Sequence, residues 1–170
     1  VAYFNKLKEL RAKDQNEIQI LFAINEYLSY PGRLAEKEAW CAEEVKKTPN
    51  EKYVWAFLGE GQMNQQKYDE AIASFKKTLE VDPSFVEVEF NVGACYVLKA
   101  TAMSDQLAGA TGRLTPENAE KVKAVYNDAK KYLEHVRSVD PDRKKANWAY
   151  SLYQVYYSLG DQEKVAEIEK

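Results

Sequence analysis

The sequence predicts an all-α protein, a solenoid of antiparallel helix pairs with one pair elongated. Three observations predict it. Only seven glycines and five prolines interrupt 170 residues rich in Ala, Glu, Lys and Leu, a composition that leans toward helix. Apolar residues recur at three- and four-residue steps rather than alternately. Val-Asp-Pro occurs at 81–83 and again at 139–141, as if Pro83 and Pro141 closed one repeated unit that carries an insertion the second time.

Composition narrows the function classes. Hydrophobic residues make up 45% and charged residues 30%, enough apolar surface for one sizeable core and one domain over 1–170. The net charge of −3 lacks the excess of Lys and Arg that a nucleic-acid surface needs. No apolar run reaches the roughly 18 residues of a membrane span. Cys41 and Cys95 sit among helix-type apolar residues without C-x-x-C spacing, and are expected to be core thiols. The chain starts at Val1 with no leader pattern, which suggests a piece of a longer protein.

The clearest unit is the hairpin around 52–85. Tyr68, Ala71, Ile72, Phe75 and Leu79 share one helical face, with Asp69 and Glu70 in the first turn and Lys76 and Lys77 near the last. Asp82 precedes Pro83 and is pushed out of the helical region, ending that helix. Upstream, Gly59 and Ala71 make space that Trp55, Leu58 and Phe75 fill. The pattern Trp55-x-x-Leu58-Gly59, Tyr68-x-x-Ala71-x-x-x-Phe75, Pro83 resembles a tetratricopeptide repeat, with Gln62 standing where the family usually has tyrosine. The resemblance implies a right-handed superhelical solenoid.

In that register the elements follow in order. Residues 1–15 form a half repeat with Tyr3, Leu7 and Leu10 at buried positions, so that the chain begins midway through a unit. A repeat spans 18–51, with Leu21, Ile24, Leu28, Gly32, Leu34 and Cys41 at matching positions. Lys37 and Glu44 replace small residues there, which predicts an irregular second helix. The repeat at 52–85 is followed by an elongated one at 86–143, which carries 24 extra residues. Two seams, Gly93-Tyr96-Ala100-Met103-Leu107-Ala110 and Ala119-Val122-Tyr126-Ala129-Leu133-Val136, predict an antiparallel hairpin that projects from the stack. Thr115 is its N-cap and Pro116 its first helical residue. A terminal partial unit spans 144–170, with Leu152, Tyr156 and Gly160 before a short helix that Asp161 caps, that carries Val165 and Ile168, and that ends at Lys170. The long unit followed by a Leu- and Tyr-rich one ending Leu-Gly-Asp resembles the C-terminal half of tetratricopeptide proteins common in Bacteroidetes. Many such relatives are exported, so an extracytoplasmic location is an expectation of the resemblance alone.

No nucleophile elbow, phosphate-cradling glycine loop or H-E-x-x-H is present. The single histidine, His135, has no nucleophile or second ligand beside it, and reads as a rim residue. Glu43-Glu44 and Glu87/Glu89 read as solvated faces. The expectation is no catalysis, no metal and no cofactor. The resemblance implies that first helices line a concave groove. It places Tyr53, Ala56, Phe57, Glu60, Met63 and Asn64 there, then Phe90, Asn91, Ala94 and Val97, then Asn147, Tyr150, Gln154 and Tyr157. Rings that bury area and amides that bond a backbone suit a partner peptide or helix. Phe57, Phe90 and Tyr157 could equally belong to inter-helix core. Relatives that clamp a C-terminal carboxylate use basic residues and asparagines at fixed positions, of which only Asn91 matches; Ala56, Glu60, Asn147 and Ser151 do not. The expected function is thus a non-catalytic scaffold for a protein or peptide partner. The alternative is an architectural or oligomerisation module that uses the hairpin at 100–125.

Overall fold

The computed structural model describes residues 2–168, apart from the side chain of Thr111. Nine α-helices and one short 3-10 turn are present among the described residues. They are α1 (Ala2–Lys13), α2 (Ile18–Leu28), α3 (Leu34–Lys47), α4 (Lys52–Asn64), α5 (Tyr68–Val81), α6 (Val86–Ala108), the turn Gly109–Thr111, α7 (Pro116–Val139), α8 (Trp148–Leu159) and α9 (Gln162–Ile168). Each helix packs on the next in sequence, and α6 also meets α8. That is the contact order of a helical solenoid, in which each unit buries its apolar face against its neighbours.

Capping residues set the helix starts. Glu17 and Glu51 hold equivalent places in successive units. Each accepts a backbone N–H two residues on, from Gln19 at 3.2 Å and Tyr53 at 3.1 Å. Thr115 accepts from the Asn118 N–H at 3.2 Å, and Pro116 opens α7, as its sequence predicts. At the α8 end Gly160 adopts φ +79°, the left-handed conformation that suits a helix stop.

The α4–α5 fit depends on one missing side chain. A Cβ on Gly59 would lie 2.7 Å from ring atoms of Phe75, which is fully buried. The small residue therefore lets the aromatic ring seat directly on the α4 backbone. Gln62, the departure from the family pattern, is buried and its Oε1 accepts from the Ser74 hydroxyl at 2.7 Å. The amide so gains the partner that its burial requires.

Helices α6 and α7 have 23 and 24 residues, about 35 Å each at ~1.5 Å per residue, against 13 and 14 for α4 and α5. Their seam follows the expected positions: Ala100, Val122, Tyr126, Ala129, Leu133 and Val136 are buried, while Met103 and Leu107 are partly buried against them. Ala110 falls outside the seam, in the 3-10 turn after Gly109 has reversed the backbone.

Two expectations are corrected at the start of the chain. Tyr3 is 59% exposed and Leu10 36%, whereas Phe4, Leu7 and Arg11 are buried on α2 and α3. The buried stripe of α1 therefore keeps Leu7 but takes Phe4 in place of Tyr3 and the charged Arg11 in place of Leu10. The second correction is α3, which is a continuous helix rather than an irregular one. Its two intruding charges are buried and paired. Lys37 Nζ donates to Glu60 Oε2 at 3.1 Å and Ser29 Oγ at 3.3 Å. Glu44, read from sequence as solvated, is 4% exposed and receives Arg11 Nε at 3.1 Å. The ion pairs stand where other units pack small side chains. The expected end of the final helix at Lys170 lies outside the described residues.

Candidate functional site

Aromatic rings gather on one surface formed by α2, α4 and the start of α6. Tyr53 stands at its centre, with Phe22 at 5.0 Å edge-on, Phe85 at 5.8 Å and Phe57 at 6.4 Å between ring centroids. Phe22 also meets Phe57 edge-on at 5.4 Å. Edge-to-face contacts of this kind let each ring edge lie on a neighbouring face. Lys52 Nζ lies 5.0 Å from the Tyr53 ring centre and pairs with Asp82 at 2.6 Å, so its charge is neutralised locally. Phe22 remains 45% exposed.

The surface continues along α2. A shallow depression of about 450 Å³ is lined by Ile18, Gln19, Phe22, Ala23, Asn25 and Glu26. It shares Ala23 and Glu26 with a second depression of about 550 Å³, whose other walls are Tyr3, Tyr27, Tyr30, Pro31 and Arg33. Tyr27 stacks on Phe4 at 5.1 Å and approaches Tyr3 at 5.9 Å, which ties α1 to α2.

The residues that the resemblance assigned to a groove fall into separate environments. Tyr53 belongs to the aromatic surface. Phe57 is 5% exposed and packs with Leu21, Val54 and Leu58, so its ring is mostly core. Ala56 and Val97 are also buried. Glu60 is half-buried on Lys37, Met63 packs partly on the α4–α6 core, and Asn64 is exposed. Phe90 is partly buried against the C-terminal core, with Asn91 and Ala94 half-buried beside it in sequence. On α8, Gln154 donates to Thr101 Oγ1 at 3.4 Å. Asn147 is exposed, Tyr150 is 72% exposed, and the exposed Tyr157 stacks on Tyr153 at 6.2 Å. Among the described residues the α8 tyrosines share no ring contact with the Tyr53 group.

Phe22, Glu26 and Tyr30 were absent from that assignment, although the sequence held the signal for them. Counting back one repeat length from Ala56, Glu60 and Asn64 lands on these three positions.

The remaining reactive groups are occupied with structure. Burial pushes the thiols of Cys41 and Cys95 up to about 12, which leaves them protonated and poorly nucleophilic. Burial, together with the Glu134 carboxylate it donates to at 3.0 Å, raises Tyr156 to about 12. His135 Nδ1 lies 2.7 Å from Glu89 Oε1, a partner 46 residues away that no local pattern could supply. Among the described residues, no three His, Cys, Asp or Glu gather in a way that could hold a metal ion. No described helix is long and apolar enough to cross a membrane.

Comparison with known proteins adds one match. Residues 53–85, the α4–α5 hairpin with its connection to α6, match the family described as tetratricopeptide repeat. No curated protein matches the chain. Such repeats serve in general as scaffolds for protein–protein interaction, and the helices flanking the matched hairpin pack in the same sequential order. The chain thus carries a tetratricopeptide repeat at residues 53–85, set in an all-helical solenoid architecture.

Proposed function

We propose that this protein is a non-catalytic scaffold that binds a partner peptide or helix along the aromatic surface of α2 and α4. The observation that carries the reading is the continuity of that surface: Phe85, Tyr53 and Phe22 in ring contact, then Ala23 and Glu26, then Tyr27 and Tyr30. Exposed rings on rigid helices bury much area while losing little side-chain freedom, and such residues dominate interface energetics. The ring faces suit apolar side chains of a partner, and Gln19 beside them can bond its backbone.

Site-specific photo-cross-linking tests this. A cross-linker in place of Tyr53 or Tyr30 is expected to capture the same partner through one contiguous segment, and a cross-linker in place of Lys131, exposed on α7, is not. Equal capture from all three positions, or capture from Lys131 alone, overturns the groove assignment. Cross-links from this surface to a second copy of the same chain would show self-assembly instead.

A further inference from the structure

The depression at the α1 end of this surface combines three tyrosines with a carboxylate that has no partner among the described residues. Tyr3 and Tyr30 are 59% and 60% exposed, so their ring faces are open to a ligand. In the same lining, Tyr27 already carries a cation: the Arg33 guanidinium carbon lies 4.1 Å from its ring centre. That charge is neutralised by Glu36, whose Oε2 accepts from Arg33 Nη1 at 2.8 Å. Glu26, on the shared wall of both depressions, makes neither an ion pair nor a side-chain hydrogen bond with any described residue. Among the described residues, Arg33 and Glu36 cancel, and Glu26 leaves the depression net negative.

Aromatic faces carry the negative lobe of a quadrupole, and a guanidinium stacks on them more readily than an ammonium because it is planar and weakly hydrated. A carboxylate beside such faces completes a cation site. An anionic ligand would meet both the ring faces and Glu26 unfavourably. The volume of about 550 Å³ suits one long side chain and its flanking backbone.

We propose that this depression receives a cationic side chain, an arginine ahead of a lysine, from the peptide that lies along the groove. Glu26 is its counter-ion and Tyr3 and Tyr30 its stacking faces. The assignment rests on the groove reading above and adds the chemistry of the partner: a segment with apolar residues toward Tyr53 and a basic residue toward Tyr30.

The test uses N-acetyl-arginine methylamide as probe and the neutral isostere N-acetyl-citrulline methylamide as control, followed by tyrosine ring resonances. The arginine compound is expected to shift a small set of tyrosine signals saturably in the millimolar range, and the citrulline compound to leave them in place. Glu26→Gln, at an exposed position and checked for unchanged helix content, weakens binding about fivefold, the scale of one exposed ion pair. Tyr30→Leu weakens it as well. No saturable shift, equal shifts from both compounds, or undiminished binding by Glu26→Gln each overturn the proposal. Because the probe is a single residue, its result is independent of cross-linking at Tyr53. The subsite and the groove can therefore fail separately.

Discussion

Glu44 shows how a residue can break a local pattern and still belong to the fold. It occupies a position where a small side chain is expected, yet it is buried and paired with Arg11, with Lys47 Nζ at 3.5 Å on its other oxygen. Arg11 Nη2 has no hydrogen-bond partner among the described residues, so the pair is incompletely satisfied. Removing one member leaves the other charge buried alone, which costs about 3–5 kcal/mol, whereas replacing both with apolar residues is often nearly neutral. Glu44→Ala is therefore expected to lower stability by about 3–5 kcal/mol in urea unfolding. The double replacement Arg11→Met with Glu44→Leu should cost less than Glu44→Ala alone. A double variant as unstable as the single one would mean that the pair contributes more than its charges. The pairing was not legible in the sequence, because Arg11 and Glu44 lie 33 residues apart on helices whose contact is tertiary. Gly59 was legible, because the aromatic residue that needs its missing side chain follows in the same hairpin.

The two Val-Asp-Pro segments end equivalent helices, α5 and α7, but their aspartates act differently. Asp82 reaches across to Lys52 at the start of α4, and also accepts the Ser84 N–H at 3.0 Å. Asp140 is 5% exposed and gathers three backbone N–H groups, from Lys144, Lys145 and Ala146, at 2.9–3.0 Å. Its carbonyl also accepts from Trp148 Nε1 at 2.8 Å. Burial pushes the Asp140 carboxyl up, but these N–H groups together outweigh it and hold it below its ordinary value. For Asp82, the hydrogen bond from Lys52 comes first and those from Ser84 second, lowering it to about 2. A carboxyl with a lowered folded-state pKa stabilises fully above its unfolded value, near 3.9, and loses that contribution as pH falls through the folded value. Asp82→Asn should therefore lower the Tm at neutral pH, with the gap to the parent closing as pH falls from about 4 to about 2. A gap that persists unchanged at pH 2 would assign the loss to packing instead of charge. Sequence located both turns through Pro83 and Pro141; which partner each aspartate takes depends on the neighbouring helix.

Across the whole molecule, the core is a chain of local clusters rather than one centre. Phe4, Leu7, Ile24 and Leu28 join α1 to α2. Leu21, Cys41, Val54 and Phe57 join α2 to α4. Ala71, Phe75, Val88 and Val92 join α4–α5 to α6. The largest cluster runs from α6 to α9 around Leu133, Leu152 and Tyr156. Coupling in such a stack falls off with distance along it. Leu133 is fully buried where a Cβ on Gly93 would lie 2.7 Å from its side chain, so this position locks the long hairpin. Leu133→Ala is expected to cost about 2–5 kcal/mol. Hydrogen exchange should show protection falling first in α6, α7 and α8, with α2 and α3 protected longer. Uniform loss along the chain would indicate a single cooperative unit. The proposed groove lies mostly on the α1–α4 side of this division, so the same variant is expected to leave the partner binding proposed at Tyr53 largely intact.

What the sequence determined by itself is whatever neighbours along the chain can express. Helical spacing, the cap at Thr115, the turn at Gly160 and the two matched seams of the long hairpin all act within a few turns of the residues that encode them. Tertiary structure alone decided which charges would be buried, which ring would face solvent and which would fill core, and that α1 turns Phe4 rather than Tyr3 inward. Each of these depends on a surface supplied by a distant helix. Tyr53 and Phe57 show the difference: both lie on α4, and the cluster that α2 and α3 help to build buries Phe57 while leaving Tyr53 half-buried at its edge.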